Sequence, residues 1–343
     1  MTTNDSAGGA GRVQVHKGGG IGVLGLGAYI PDKVVSNFDL EKLVDTTDEW
    51  IVQRTGIRER RVVEEGETVV SIAKKAAELA LADAGISGGD VGLVIVATAT
   101  PDYFTPAAAS LVQHAIGARA CAAFDLNAGC SGSLYALIMA RAYIESGACD
   151  YALVIGAEIL TRAVDWDDRK TCILFGDAAG AAVVGRVGQG RGFLSSMLRS
   201  DGEGASMITI PAYHINEEDL GRRGGVKKPT VWLEGRKVMK FASRAMSASI
   251  EGVAAAAGLG VGDVRLVVPH QANLRIIENA SKRLGLAEDR VFVNIHKYGN
   301  TSAASILVSL HEAEAAGMVK DGDHVALVAF GAGLTYGAAL MRM

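Results

Sequence analysis

The sequence predicts an α/β protein in which sheets are covered by helices. Short apolar runs rich in Val and Ile alternate with longer helical patterns along the whole chain. Glycine is abundant, at 43 of 343 residues, and gathers at the ends of those runs, where strands turn sharply or backbones approach closely. The order of elements also recurs. "VGLVIVATATP" and "VRLVVPHQAN" are each a buried strand ending in a polar loop before a helix, and "FGDAAGAAVVGRV" and "FGAGLTYGAALMRM" each carry FG, small residues and a strand. The recurrence suggests two similar halves meeting near residues 188–192. Glycine-rich strand ends resemble one another in any α/β protein, so spacing alone leaves the duplication open.

Taken in order, residues 1–20 ("MTTNDSAGGAGRVQVHKGGG") have no apolar core of a secretory signal and read as a flexible tail. Strand candidates follow in "IGVLGLGAYI", "VGLVIVATA", "YALVIGAEI", "AGAAVVGRV", "VRLVVPH" and "HVALVAFGA". Helices are expected over 68–84, 130–146, 235–257, 273–284 and 302–316, where apolar residues recur at helical spacing. The organisation expected is a tail (1–20), a first half (21–190) and a second half (191–343).

Bulk composition narrows the function. With 49% apolar and 21% charged residues the chain buries a large core. A net charge of −4 argues against a nucleic-acid-binding chain. The longest uncharged stretch, "VALVAFGAGLTYGAALM", is too short and glycine-broken to cross a membrane. Cys121, Cys130, Cys149 and Cys172 show no CxxC spacing, which weakens zinc and redox-motif readings and suggests a reduced, cytoplasmic setting. "GVLGLGAYIP" breaks the dinucleotide-binding glycine pattern, and Pro31 disfavours a helix there.

Three polar strand-end loops stand out. In "FDLNAGCSGSLYAL", Cys130 sits between glycines just before an apolar helix. A buried cysteine is ordinarily a small apolar side chain, but a thiolate at a helix N-terminus is stabilised. In "VVPHQANLRII", His270 follows a buried strand and precedes Gln271 and Asn273; in "NIHKYGNTSAAS", Asn300 lies in a turn before a small-residue helix. A thiol nucleophile works best beside an imidazole and polar groups that hold developing negative charge. Each has a plainer reading: Asn300 as a turn or cap residue, and His114 or His296 as competing histidines.

The segments "VDTTDEWIVQRTGIRERR", "FDLNAGCSGSLYAL", "DDRKTCILFGDAAGAA", "VPHQANLRII", "GNTSAAS" and "FGAGLTYGAAL" together resemble the β-ketoacyl-ACP synthase III family of the thiolase-like superfamily, from about residue 21 to the end. The resemblance implies a five-layered α-β-α-β-α fold of two similar halves, normally a homodimer. It implies decarboxylative condensation of an acyl-CoA primer with malonyl-acyl carrier protein, opening type II fatty acid synthesis, with no permanently bound cofactor and no metal. By resemblance Cys130 is the nucleophile, and His270 with Asn300 holds the malonyl thioester carbonyl. The backbone N–H groups of Cys130 and Ala332 form an oxyanion hole, and Trp50, Arg54, Arg169 and Asn273 bind coenzyme A. Lys240, Arg275 and Lys282 offer a basic surface to the carrier protein, although charges at helical spacing are ordinarily only a solvated face. On this reading the helix dipole lowers the Cys130 pKa.

Two departures matter. Ala332 replaces a glycine common in the family, which leaves a backbone donor in place. Thr105 stands where short-chain members carry a bulky phenylalanine, which predicts room for a longer or branched primer. Rivals within the fold are a related acyltransferase or condensing enzyme of a specialised pathway and a non-catalytic partner subunit. A thiolase would need a second cysteine near the C-terminus, and the last here is Cys172.

Overall fold

The computed structural model describes residues 13–16, 20–212, 217–222, 225 and 229–343. Its strands, in chain order, are β1 (Gln14–Val15), β2 (Ile21–Tyr29), β3 (Lys33–Ser36), β4 (Glu59–Val62), β5 (Leu93–Ala97), β6 (Ala122–Leu126), β7 (Ala152–Ile159), β8 (Asp177–Arg186), β9 (Gly192–Ser200), β10 (Ile208–Thr209), β11 (Trp232–Leu233), β12 (Leu266–Pro269), β13 (His324–Gly331) and β14 (Thr335–Arg342). Of the segment expected to be a flexible tail, Gln14–Val15 instead pair with Ser195–Ser196 of β9, and His16 Nε2 lies 2.9 Å from Ser196 Oγ.

The two main sheets share one plan. The first runs β2-β8-β7-β5-β6 and the second β1-β9-β14-β13-β12. In the first, β2/β8 and β8/β7 are antiparallel and β7/β5 and β5/β6 parallel. In the second, β9/β14 and β14/β13 are antiparallel and β13/β12 parallel, and an isolated parallel bridge from Val267 to Val291 stands where β6 stands in the first. The recurrence in the sequence is therefore a structural duplication, with β1 added at one edge.

Helices fill the spaces between and outside the sheets. Val69–Ala84 and Ala108–Ala115 cover the outer face of the first sheet, and Gly235–Ala256 that of the second, with Leu274–Leu284 packed beside it. Gly132–Glu145 and Ser305–Ala315 lie between the sheets and touch both. These are the five layers expected. A helix between two sheets must be apolar almost all round, which is why "GSLYALIMARAYIE" shows no clean polar face. Leu134, Leu137, Ile306 and Leu310 are fully buried there, and truncating any one to Ala costs about 2–5 kcal/mol. The Ala-rich Val69–Ala84 helix lies so close to β2 that a Cβ on Gly27 would sit 2.3 Å from Ala76 O.

Candidate active site

Cys130 lies on the turn between β6 and the Gly132–Glu145 helix. Gly129 has φ +53°, a left-handed conformation that favours glycine. A Cβ on Gly129 would lie 2.7 Å from Ala332 N, and one on Gly331 2.5 Å from Cys130 N. The Cys130 turn of the first half is thus seated on the 331–335 loop of the second. Thr335 Oγ1 lies 2.7 Å from Ala128 O and 2.9 Å from Ala332 O, and Ser131 Oγ is 2.7 Å from Thr335 Oγ1. The Cys130 thiol is pushed up to about 12 by burial; a Ser302 hydroxyl bond opposes the shift and the Glu158 charge adds to it. This corrects the expectation of a thiolate favoured by the helix terminus. Cys130 precedes Ser131, the residue before the first helical residue Gly132, so it stands just outside the helix, and burial is the largest influence on its thiol.

His270 follows β12 and is 1% exposed. Its Nδ1 is 2.6 Å from Ser305 Oγ, while the buried Nε2 has no partner among the described residues. Phe330 meets the ring edge-on at 5.3 Å. Burial lowers the imidazole to about 3, so the ring is neutral at ordinary pH. A buried ring with one nitrogen left unpartnered is not that of a fully satisfied core histidine.

Asn300, 7% exposed, is held by its own backbone: its N–H donates to Leu174 O (2.8 Å) and its C=O accepts from Gly176 N (3.1 Å). Its Oδ1 accepts from Ser302 N at 2.8 Å, which leaves the amide NH2 as the outward donor. Buried Gln271 couples this loop to the histidine strand. Its Oε1 accepts from the N–H groups of Asn294 and Ile295, both at 3.2 Å, and its Nε2 donates to Pro269 O and Phe292 O.

Cys130, His270 and Asn300 line one cavity of about 280 Å³, together with Trp50, Arg54 and Asn273. Two guanidinium groups approach the Trp50 ring, Arg169 at 4.9 Å and Arg54 at 5.5 Å from its centroid. Trp50 and Arg54 ride the Asp48–Thr55 helix. Asn273 caps Leu274–Leu284 through Arg275 N and donates to Arg54 O at 3.1 Å; Arg275 Nε donates to Gln53 O at 2.9 Å. Arg60, fully buried, donates to Val35 O, Ile173 O and Asn37 Oδ1, and Asn37 in turn reaches Asp48. The Trp50 helix and the turn that pins Asn300 therefore share one anchor.

Other expected residues lie elsewhere. Lys240, Lys282 and Thr105 are exposed and do not line the cavity, nor do His114 and His296. Ala332 is on the loop beneath Cys130. The sequence reading missed Glu158, a fully buried carboxyl on β7 whose sole sequence signal is an acid inside the apolar run "YALVIGAEI". Among the described residues no group of His, Cys, Asp or Glu could hold a metal ion, and no helix is long and apolar enough to cross a membrane.

Two duplicated α/β halves, with a cysteine from one and a histidine and an asparagine from the other facing one cavity, define a thiolase-like condensing enzyme. The 3-oxoacyl-[acyl-carrier-protein] synthase III family matches residues 124–202, and the C-terminal part of that family matches residues 254–343. The chain is 49% identical over 333 residues to the β-ketoacyl-[acyl-carrier-protein] synthase III of Symbiobacterium thermophilum, covering 94% of this chain and 98% of that protein. A solved synthase III from Thermus thermophilus superposes with TM-score 0.89 at 48% identity, covering 94% and 99% of the two chains. One from Aquifex aeolicus does so with TM-score 0.88 at 44% identity, covering 94% and 100%. The chain belongs to the 3-oxoacyl-[acyl-carrier-protein] synthase III family.

Proposed function

We propose that this chain joins an acyl-CoA primer to malonyl-acyl carrier protein with loss of carbon dioxide, through an acyl-Cys130 intermediate, as the opening step of type II fatty acid synthesis. The observation that carries the proposal is the meeting of Cys130, His270 and Asn300 in one cavity that also holds Trp50. Trp50 offers its ring to the adenine, with Arg54 and Arg169 beside it. The Cys130 sulfur takes the acyl group, and backbone N–H groups at Cys130 and Ala332 stabilise the tetrahedral oxyanion. When malonyl thioester replaces coenzyme A, the Asn300 amide and neutral His270 donate to its carbonyl oxygen. With Ser305 donating to Nδ1, the ring proton sits on Nε2, the unpartnered nitrogen. The enolate formed on loss of carbon dioxide then attacks the Cys130 thioester. A non-catalytic subunit would not need these three groups around one cavity.

A homodimer and a cytoplasmic location belong to the same proposal. Strand β6 ends its sheet with one edge unpaired among the described residues, and Phe124 on it is 41% exposed. A twofold pairing of this edge would cover it; a monomer mass by light scattering would remove that idea. Thr105 as a determinant of primer size is proposed from the family resemblance alone, since in this chain it is exposed and lies outside the Cys130 cavity. The deciding experiment is intact mass after mixing the protein with a panel of acyl-CoAs, beside Cys130→Ala. The expected result is one added acyl group, lost in the variant, ranked by primer, and discharged as a β-ketoacyl product by malonyl-acyl carrier protein. An acyl group retained by the variant would refute the nucleophile assignment.

A further inference from the structure

An oxyanion hole built from two N–H groups depends on their spacing, because both must reach one developing negative oxygen. The donors of the proposed hole come from different halves, Cys130 from the first and Ala332 from the second. Gly129 precedes Cys130 and Gly331 precedes Ala332, so the chain is at its most permissive next to both donors. Something other than local backbone preference has to fix the gap.

One hydroxyl spans it. Thr335 Oγ1 lies 2.7 Å from Ala128 O and 2.9 Å from Ala332 O. Ala128 O belongs to the peptide unit just before the one that carries the Cys130 N–H. Ala332 O belongs to the unit just after the one that carries the Ala332 N–H. The hydroxyl therefore holds each half one planar unit away from its donor. Ser131, fully buried, completes the cluster, with Oγ 2.8 Å from Ala128 O and 2.7 Å from Thr335 Oγ1. The short gap between the two hydroxyls needs a proton in it. With Ser131 donating to Thr335, the Thr335 proton is left for the carbonyls. The next part of the loop is pinned separately, by Leu334 N to Asp201 O at 2.8 Å and Asp201 N to Leu334 O at 2.7 Å.

We propose that Thr335 is a positioning residue whose hydroxyl, oriented by Ser131, sets the spacing of the Cys130 and Ala332 N–H groups and with it the strength of the oxyanion hole. It touches no reacting atom. The same hole serves twice. In acylation the Cys130 sulfur adds to the primer carbonyl and the oxygen takes the electron pair. Collapse expels coenzyme A, which leaves with the proton of the Cys130 thiol. In condensation the enolate carbon adds to the acyl-Cys130 carbonyl and the same oxygen takes the pair. Collapse expels the Cys130 sulfur, which takes a proton from solvent. Decarboxylation instead puts its charge on the malonyl thioester oxygen held by His270 and Asn300, so it is independent of Thr335.

The inference rests on the condensing reading, and the test separates the two. Three rates are compared: acylation by acyl-CoA, discharge of preformed acyl-enzyme by malonyl-acyl carrier protein, and carbon dioxide release from malonyl-acyl carrier protein without primer. Thr335→Val keeps the branched shape and loses the hydroxyl; Thr335→Ser does the reverse. Thr335→Val should slow acylation and discharge about tenfold each at unchanged KM, short of the 10²–10³-fold of losing a donor outright. Carbon dioxide release should not change, and Thr335→Ser should keep all three rates. Ser131→Ala should slow the same two steps by about threefold and add nothing to Thr335→Val, since it acts through that residue. The infrared band of a ¹³C-labelled acyl-Cys130 carbonyl should move to higher frequency in Thr335→Val, the sign of weaker hydrogen bonding, and stay in place in Thr335→Ser. Thermal midpoints are read alongside; if Thr335→Val does not fold, the rates and band of Ser131→Ala decide by the same signs. Equal loss of all three rates, an unmoved band, or Thr335→Ser as slow as Thr335→Val would overturn the positioning role. A wild-type chain that takes no acyl group from any primer would overturn the condensing reading and this inference with it.

Discussion

The two halves place different chemistry at equivalent strand ends. In the first, Ala97 of β5 lies opposite Gly156 of β7, so Thr98 leaves the strand beside the point where β7 presents Glu158. In the second, Pro269 of β12 lies opposite Val328 of β13, so His270 leaves beside Phe330. Thr98 with Glu158 and His270 with Phe330 are thus the same pair of positions. One half surrounds a carboxyl with hydroxyls; the other presses an aromatic ring against an imidazole. The difference shows how one backbone plan yields two environments: a buried carboxyl held by hydroxyls, and an imidazole kept uncharged by burial.

If the division holds, His270→Ala has the largest effect. Decarboxylation of malonyl thioester, followed by carbon dioxide release, should fall about 10²–10³-fold, the range for losing one oxyanion donor, with acylation of Cys130 changed only severalfold. Equal loss in both half-reactions would mean that the halves do not divide the work.

A smaller effect tests why the ring is neutral. The folded pKa of His270 is lowered from 6.5 to about 3, so the unfolded chain takes the proton first as pH falls. Its contribution to stability is complete above about 6.5 and is lost as pH falls from there towards 3. Urea unfolding at pH 7, 6 and 5 should show an acid slope steeper than that of His270→Asn by up to about 1.4 kcal/mol per pH unit. Identical slopes would show that the ring is not buried uncharged.

The smallest effect compares the outer helices. Lys240 and Lys282 lie on helices of the second half, whereas Lys74 lies on the outer helix of the first. Arg275 is tied to Gln53 O, so Lys240→Glu with Lys282→Glu is the cleaner reversal. It should raise KM for malonyl-acyl carrier protein about 5–10-fold, more at low salt, and leave KM for acyl-CoA alone. Lys74→Glu should change neither. Equal effects from both halves would leave a general charge effect in place of a docking face.

Much of this was legible beforehand because it depends on local rules. The Asp48–Thr55 helix escaped a reading based on apolar periodicity because it buries only Ile51 and Thr55. By contrast 68–84 and 273–284 were expected within one residue of Val69–Ala84 and Leu274–Leu284, where capping side chains (Thr68, Asn273) precede strong apolar stripes. Cys130, His270 and Asn300 stood out as polar groups at strand ends and by family resemblance. What escaped depends on distant partners. Gln14–Val15 become a strand only because β9 offers an open edge 180 residues away. Burial raises the Cys130 thiol, and the seating of its turn on the 331–335 loop of the other half is not contained in a helix-terminus argument. Glu158 looked like one acid in an apolar run, and what holds it there are Thr98, Ala99 and Thr100, which lie about 60 residues away in the chain.

Because Gly132–Glu145 touches the second sheet and Ser305–Ala315 touches the first, each half lends its own helix to the other's core. Neither closes a hydrophobic interior alone. A backbone break in the connection between β8 and β9 would turn folding into a bimolecular event, with a midpoint that climbs with fragment concentration. The intact chain, by the same logic, melts as one cooperative unit. The duplication visible in its topology thus divides the strands into two sets, while the unit that folds is the whole.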